Sequence, residues 1–166
     1  MLTSEQNAAI KADILANPDL NAIPNTQDGA FAIADLYKQV VVPSFFIWRP
    51  EGQLVAEIMS NGFDWVRVDN LTVGRARIWD YMRDIGTING SKANQRAGVL
   101  AAFNQAADLA MRLAIFGHLQ RPATRIEKLF ATGAGTTTTD QAVGPATTTW
   151  TVGAPSYSDI FNARNS

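Results

Sequence analysis

The side chains in this sequence that could perform chemistry are few and scattered. His118 is the single histidine, and there is no cysteine, which excludes thiol catalysis, disulfides and zinc sites of the cysteine type. The best candidate set for an enzyme or a small-ligand protein lies around Trp65 in the sequence. It consists of Asp64, Arg67 and Asp69, together with His118. A general base needs an oriented partner, and the sequence marks none for His118. We therefore favour a structural histidine near a helix end.

Metal and phosphate motifs point the same way. No HExxH, Walker A or GxSxG motif is present in the sequence. Asp80 and Asp84 stand one helical turn apart, but Arg77 and Arg83 lie near enough to neutralise them, which indicates a solvated charged face. The stretch GAGTTTT follows a predicted helix rather than preceding one and has no lysine, so it does not predict a phosphate cradle. We expect a protein that is not an enzyme and that needs no cofactor or metal ion.

The composition predicts one folded domain with an extended appendage. The chain has 166 residues, 46% of them hydrophobic, which is enough for a real core. Its net charge of -1 offers no general attraction to nucleic acid. We expect no signal peptide, because the first residues lack a basic region followed by an apolar stretch. We also expect a soluble protein, since no uncharged apolar run approaches the roughly 20 residues that span a bilayer.

Hydrophobic periodicity predicts helices in the first 40 residues. Thr3 and Gln6 have the spacing of a capping box at the start of the first helix, and Asn17-Pro18 ends it. A second helix is predicted from about Asp28 to Tyr37. The positions expected to be buried on these two helices are Ile10, Ile14, Phe31, Ile33, Ala34 and Tyr37.

The middle of the chain combines one extended segment with further helices. In VVVPSFFIWRPEG, Pro43 and Pro50 exclude a central strand and predict a buried extended segment or an edge strand. A short helix should then end at Asn61-Gly62. The clearest helix lies within 69–86, with an apolar stripe and a left-handed cap at Gly86. That stripe is Leu71, Arg75, Ile78, Met82 and Ile85.

Two further helices are predicted within 89–120, separated by a break near Phe103-Asn104. Leu109, Leu113 and Phe116 should form a buried face on the second of them. The stretch RPATRIEKLFATG predicts one more helix, with Pro122 in its first turn, where the missing N–H costs nothing.

After residue 131 the sequence changes character. The segment TGAGTTTTDQAVGPATTTW is rich in threonine and almost uncharged, and Gly144-Pro145 signals a turn. The simplest regular structure is a hairpin that pairs about 136–142 with 146–152, although a lone hairpin is marginal in water. SYSDIFNARNS predicts a terminal helix capped by Ser156 or Ser158. The predicted fold is mainly α: a compact helical bundle (1–131), an extended Thr-rich arm or β-hairpin (132–153) and a short helical tail (154–166).

Trp150 is the most informative residue of the predicted arm. A tryptophan in a polar segment needs a pocket, either on its own helices or on a partner, and both interpretations remain open. On the partner interpretation, the arm orders by contact, and the helical body folds without it. The partner-binding candidates are then Thr136, Thr138, Val143, Thr148, Trp150, Val152, Tyr157, Ile160, Phe161 and Arg164.

The residues RPATRIEKLFATGAGTTTT, GPATTTW and SYSDIFNAR carry a family resemblance. A helical body followed by an extended arm and a short terminal helix resembles the small head–tail connector (adaptor or head-completion) proteins of tailed bacteriophages. The resemblance implies a structural virion protein, assembled in the host cytoplasm, that forms a ring, commonly of twelve copies. Its partners would be the portal and the next neck or tail component, with passing contact to DNA in the channel, and it would have no cofactor and no membrane partner. The alternatives are another neck or tail completion protein (a terminator or stopper) and, less favoured, the small helical enzyme or ligand-binding protein considered above.

Overall fold

The computed structural model describes residues 2–60 and 62–166, and 55% of the structure is helical. The predicted mainly α class is confirmed. The helices are α1 (Ser4–Ala16), α2 (Pro18–Asn21), α3 (Gln27–Lys38), α4 (Val55–Ser60), α5 (Trp65–Asp69), α6 (Val73–Ile85), α7 (Ala93–Ala102), α8 (Leu109–His118), α9 (Arg125–Leu129) and α10 (Tyr157–Asn165), with one 3-10 turn at Ala106–Asp108. The strands are β1 (Phe46–Trp48), β2 (Gly52–Leu54), β3 (Thr87–Asn89), β4 (Gln120–Pro122), β5 (Ala131–Thr132) and β6 (Thr147–Thr148). Throughout the described ranges, the helices are too short or too polar to cross a membrane.

Contacts divide the chain into two compact units, each built from separate segments. Unit 1 contains 2–44, 123–131 and 149–166, and unit 2 contains 45–122 and 132–148. This division differs from the predicted boundaries at 131 and 153. The Thr-rich segment is shared between the units because side chains along it enter both cores: Ala146 is fully buried in unit 2, and Trp150 is 4% exposed in unit 1.

In unit 1, local capping signals set where the helices begin. The capping box of Thr3 and Gln6 opens α1 as predicted, and an equivalent box of Thr124 and Glu127 opens α9. The helix after 121 therefore starts at Arg125, and Pro122 belongs to β4 instead of its first turn. The large buried side chains of this unit come from five helices (α1, α2, α3, α9 and α10) and from Trp150. They are Ile10, Ile14, Leu20, Ile33, Tyr37, Ile126, Trp150 and Ile160. Phe31, predicted to be buried, is 46% exposed.

In unit 2, short antiparallel strand pairs hold α4 to α8 around an aromatic core. β1 pairs with β4, and β2 pairs with β3. The core includes Trp48, Trp79, Phe103 and Phe116. The predicted break between α7 and α8 lies where expected, and Gly86 caps α6 with a φ of 81°. Asn61 of the predicted Asn61-Gly62 helix end lies outside the described residues, and Gly62 has a φ of 74°.

Two of the predicted apolar faces in unit 2 are rotated. On α6 the buried positions are Trp79 and Met82, whereas Ile85 is 64% exposed. On α8, Leu109 and Leu113 are 44% and 42% exposed, in contrast to the predicted buried face that they share with Phe116. The reason is that each helix carries more apolar positions than one neighbour can cover. Packing selects the face with the larger fully enclosed side chains, such as Trp79 and Phe116.

The Thr-rich part of unit 2 lies along β1 and does not form a regular hairpin. Phe46 N donates to Gly135 O (2.7 Å) and Ala146 N donates to Phe46 O (2.9 Å), so both limbs bond to the same strand. Between them, Thr136 N donates to Gly144 O (3.0 Å). The predicted pairing of 136–142 with 146–152 is absent from the described structure, because Ala146 bonds to β1 and β6 pairs with β5 instead. Glycine is required at 135, since its φ is 69° and an added Cβ would lie 2.0 Å from the Phe45 ring.

Candidate interaction surface

The ten predicted partner-binding residues fall into two classes. Thr148, Trp150 and Ile160 are buried in their own units, and Thr138 and Arg164 are half-buried. The remaining members are exposed: Thr136, Val143, Val152, Tyr157 and Phe161. The exposed class offers the most side-chain surface to a partner in this conformation.

Trp150 fills a pocket on its own unit. Of the two interpretations that the sequence left open, a pocket on its own helices or one on a partner, the structure has the first. Its ring stacks on Phe130, with centroids 5.0 Å apart and planes 23° apart. The neighbouring Thr149 N donates to Phe130 O (3.0 Å) and fixes the backbone at that point. The tryptophan is therefore a core residue of unit 1 in the isolated chain, and removing it should affect folding directly.

Helix α10 has an inner face that fixes it and an outer face that is free to bind. Ser156 caps the helix in a box with Asp159, which satisfies the first free backbone amides. Ile160 and Ala163 are fully buried against α1 and α3. Arg164 donates to Ile23 O (2.9 Å) and Pro24 O (3.1 Å). The helix is thus held in one orientation by apolar and polar contacts together.

The outer face of α10 carries exposed aromatic rings. Tyr157 and Phe161 stand one turn apart and are 39% and 41% exposed. Tyr157 stacks on Phe31 of α3, with ring centroids 4.3 Å apart. We call Phe31, Tyr157 and Phe161 the aromatic surface of unit 1. The sequence marked two of its members, and it missed Phe31 because the helical pattern of α3 places that residue beside buried positions.

Unit 1 also contains an open groove beside a buried polar group. The groove has a volume of about 680 Å³, and its apolar lining includes Leu36, Leu129 and 40–42. Asp13 stands on its rim, accepting from Tyr37 Oη (2.8 Å) and contacting Arg125 (3.5 Å). Burial, and then the hydrogen bond and charge of Asp13, raise the pKa of Tyr37 well above its ordinary value, although Arg125 opposes the shift. The tyrosine is therefore neutral at physiological pH and acts as a donor.

In unit 2, two of the residues considered for an enzyme site, Asp64 and Arg67, make contacts within the fold. Asp64 caps α5 by accepting from Val66 N (3.0 Å). Arg67 donates through Nε to Asp108 (3.1 Å), a fully buried carboxylate that also pairs with Arg75. Burial tends to raise the pKa of Asp108, but hydrogen bonds from Arg67 and the Gln105 amide, with the charge of Arg75, outweigh it and lower the pKa.

This ion network was not visible in the sequence, because its members come from α5, α6 and the 3-10 turn. A second pair, Arg112 with Asp140 (3.3 Å), joins α8 to the Thr-rich segment within the same unit. His118 ends α8, and Asp69 is exposed at the end of α5. Over the residues that the structure describes, no three His, Cys, Asp or Glu side chains are grouped to hold a metal ion.

Comparison with known proteins gives no match to a protein-family model, a curated protein or a solved structure. Only the chain's own residues therefore indicate its function. The aromatic surface is the feature that most clearly favours a binding role.

Proposed function

We propose that this chain is a structural protein of the tailed-phage neck that forms a ring, binds the portal and links the head to the tail. The observation that supports this proposal is the aromatic surface of unit 1, placed on a C-terminal helix whose other face is locked to its own unit. Together with the sequence resemblance in 121–164, it favours an assembly protein over a protein with a catalytic site.

An exposed aromatic surface gains free energy when a partner covers it and removes it from water. Aromatic side chains are enriched among the residues that dominate binding energy, and they lose little conformational entropy on binding. Phe31 and Tyr157 are already stacked, so the surface is ordered before the partner arrives. The portal, in this proposal, covers the rings of the aromatic surface.

The exposed turn of the Thr-rich segment supplies the second contact in the proposal. Thr136 and Val143 are exposed on either side of it, and Val143 is 57% exposed. Ala142 of this turn is 7% exposed and Asp140 pairs with Arg112, so the proposed contact is made by Thr136 and Val143 and not by an extended arm. Val152 lies exposed (44%) in the connection before α10 and extends the contact made by unit 1.

The test is co-sedimentation of the full chain with the portal protein encoded by the same phage genome, followed by electron microscopy of the pellet. Phe161→Ala and Tyr157→Ala should each weaken portal binding by about 30-fold, as expected for an anchor worth ~2 kcal/mol. Trp65→Ala is the control, because Trp65 is an exposed aromatic residue of unit 2 (57%) that lies outside the aromatic surface.

The expected images are closed rings seated on the portal. Wild-type chain that neither sediments with the portal nor forms rings would overturn the proposal. Binding to the tail-tube end instead of the portal would reassign the chain as a terminator or stopper.

A further inference from the structure

Helix α6 in unit 2 presents a row of large side chains to solvent. Val73, Tyr81 and Ile85 are 72%, 68% and 64% exposed, and Arg77 is exposed between them. These four residues follow one another at intervals of four, so they form a ridge about 18 Å long on one face of the helix. The opposite face carries Trp79 and Met82 into the core. We call Val73, Arg77, Tyr81 and Ile85 the α6 ridge.

Two opposite charges on this face are left without partners. Arg77 and Asp84 are seven residues apart, or about 10.5 Å along the axis, which is too far for a direct pair within the helix. The nearer acid, Asp80, pairs with Arg83 instead (3.0 Å). Among the described residues, the side chains of Arg77 and Asp84 make no hydrogen bond or ion pair.

From this pattern we infer that the α6 ridge docks on the α6 ridge of a second copy of the chain, with the two helices antiparallel. In an antiparallel pair of identical helices, each residue of one copy faces a residue of the other, and the two residue numbers add up to the same total for every such pair. Val73 then faces Ile85 of the second copy, and Arg77 faces Tyr81, since both pairs sum to 158. Asp84 of the second copy lies one turn from that Tyr81, within reach of the same guanidinium.

The two-fold axis makes each of these contacts occur twice. Each Arg77 lies over a tyrosine ring, a favourable cation–π geometry, and beside a carboxylate. Gly74 faces Asp84 across the axis, and no atom lies within 4 Å of an added Cβ there, so nothing blocks the close approach.

Charge complementarity identifies the occupant as a second copy and fixes the direction. The face carries one unpaired positive and one unpaired negative charge, so an identical antiparallel face satisfies both. A parallel arrangement would place Arg77 against Arg77 and Asp84 against Asp84, which is repulsive. One 13-residue helix offers less than the ~800 Å² per partner of a standard interface, so the dimer is weak and depends on concentration.

The experiment is sedimentation velocity of the full chain over a concentration series, with charge-reversal variants. Arg77→Glu and Asp84→Arg should each weaken dimerisation by about tenfold or more, because each places like charges together at two symmetric positions. An equimolar mixture of the two variants should dimerise like wild type. In the mixed dimer the introduced glutamate meets the introduced arginine, and the native Arg77 meets the native Asp84, so both contacts are attractive. The double variant should also dimerise. Glu5→Arg, an exposed reversal in unit 1, is the control and should have no effect.

Wild type that stays monomeric over the whole series would overturn the inference. So would single variants that dimerise normally, or a mixture that fails to recover. The inference does not rest on the proposed neck function: the ridge variants keep the aromatic surface, so their portal binding should be unchanged, and either idea can fail alone.

Discussion

Replacing Trp150 with alanine should unfold unit 1 far more readily, even in the isolated chain. The side chain is 4% exposed and stacks on Phe130 at 5.0 Å, so its removal leaves a large cavity. Loss of a buried tryptophan costs about 3–5 kcal/mol of unfolding free energy. Whole domains have unfolding free energies of only about 5–15 kcal/mol, so this loss is a large share of the stability of unit 1.

The measurement is hydrogen exchange followed by mass spectrometry across a urea series, which reports each unit from its own peptides. Peptides from α1, α3 and α10 should lose protection at lower urea in Trp150→Ala, while unit 2 peptides should not shift. Trp65→Ala, which removes an exposed ring, should cost about 1 kcal/mol or less. A loss below about 1 kcal/mol for Trp150→Ala would refute the core assignment and restore the interpretation of Trp150 as a partner anchor.

Two further predictions concern unit 2. Asp108→Asn should destabilise this unit by about 3–5 kcal/mol at neutral pH, because it leaves Arg67 and Arg75 around an uncharged buried group. The folded pKa of Asp108 lies below the unfolded value of about 3.9, so its contribution is present above that pH and is lost as the pH falls through the lower folded value. In urea melts at decreasing pH, the stability gap between variant and wild type should therefore narrow below about pH 3.9, and a gap that stays constant would contradict the argument. Gly135→Ala should lower the melting temperature, because its Cβ would overlap the Phe45 ring, whereas Gly153→Ala, which has open space around it, should not.

The sequence predicted the helix ends of this fold better than its packing. Capping depends on residues three apart, so Thr3, Ser156 and Gly86 could be placed from local chemistry alone. The burial of a side chain depends on which segment, distant in sequence, packs against it in the folded unit. Leu113 on α8 satisfies the same helical pattern as Phe116, and only the assembled unit decides which one is covered.

The candidate site shows the same limit. Tyr157 and Phe161 could be proposed from the sequence as an apolar cluster, and both are exposed on α10. Their neighbour Phe31 lies 126 positions before Tyr157, and no local rule joins the two. The need of Trp150 for a pocket is visible in the sequence, but the pocket is formed by α9 and its flanks, which sequence spacing alone could not show.

The division of unit 1 into three separated segments sets an order for its completion during synthesis. A ribosome has delivered every residue of unit 2 once Thr148 is made, whereas unit 1 still lacks Trp150 and α10. Until then the apolar sides of α1 and α3 have no α10 to cover them. Residues 149–166 therefore complete unit 1, and a chain truncated after Thr148 should expose the apolar sides of α1 and α3 and aggregate more readily than the full chain.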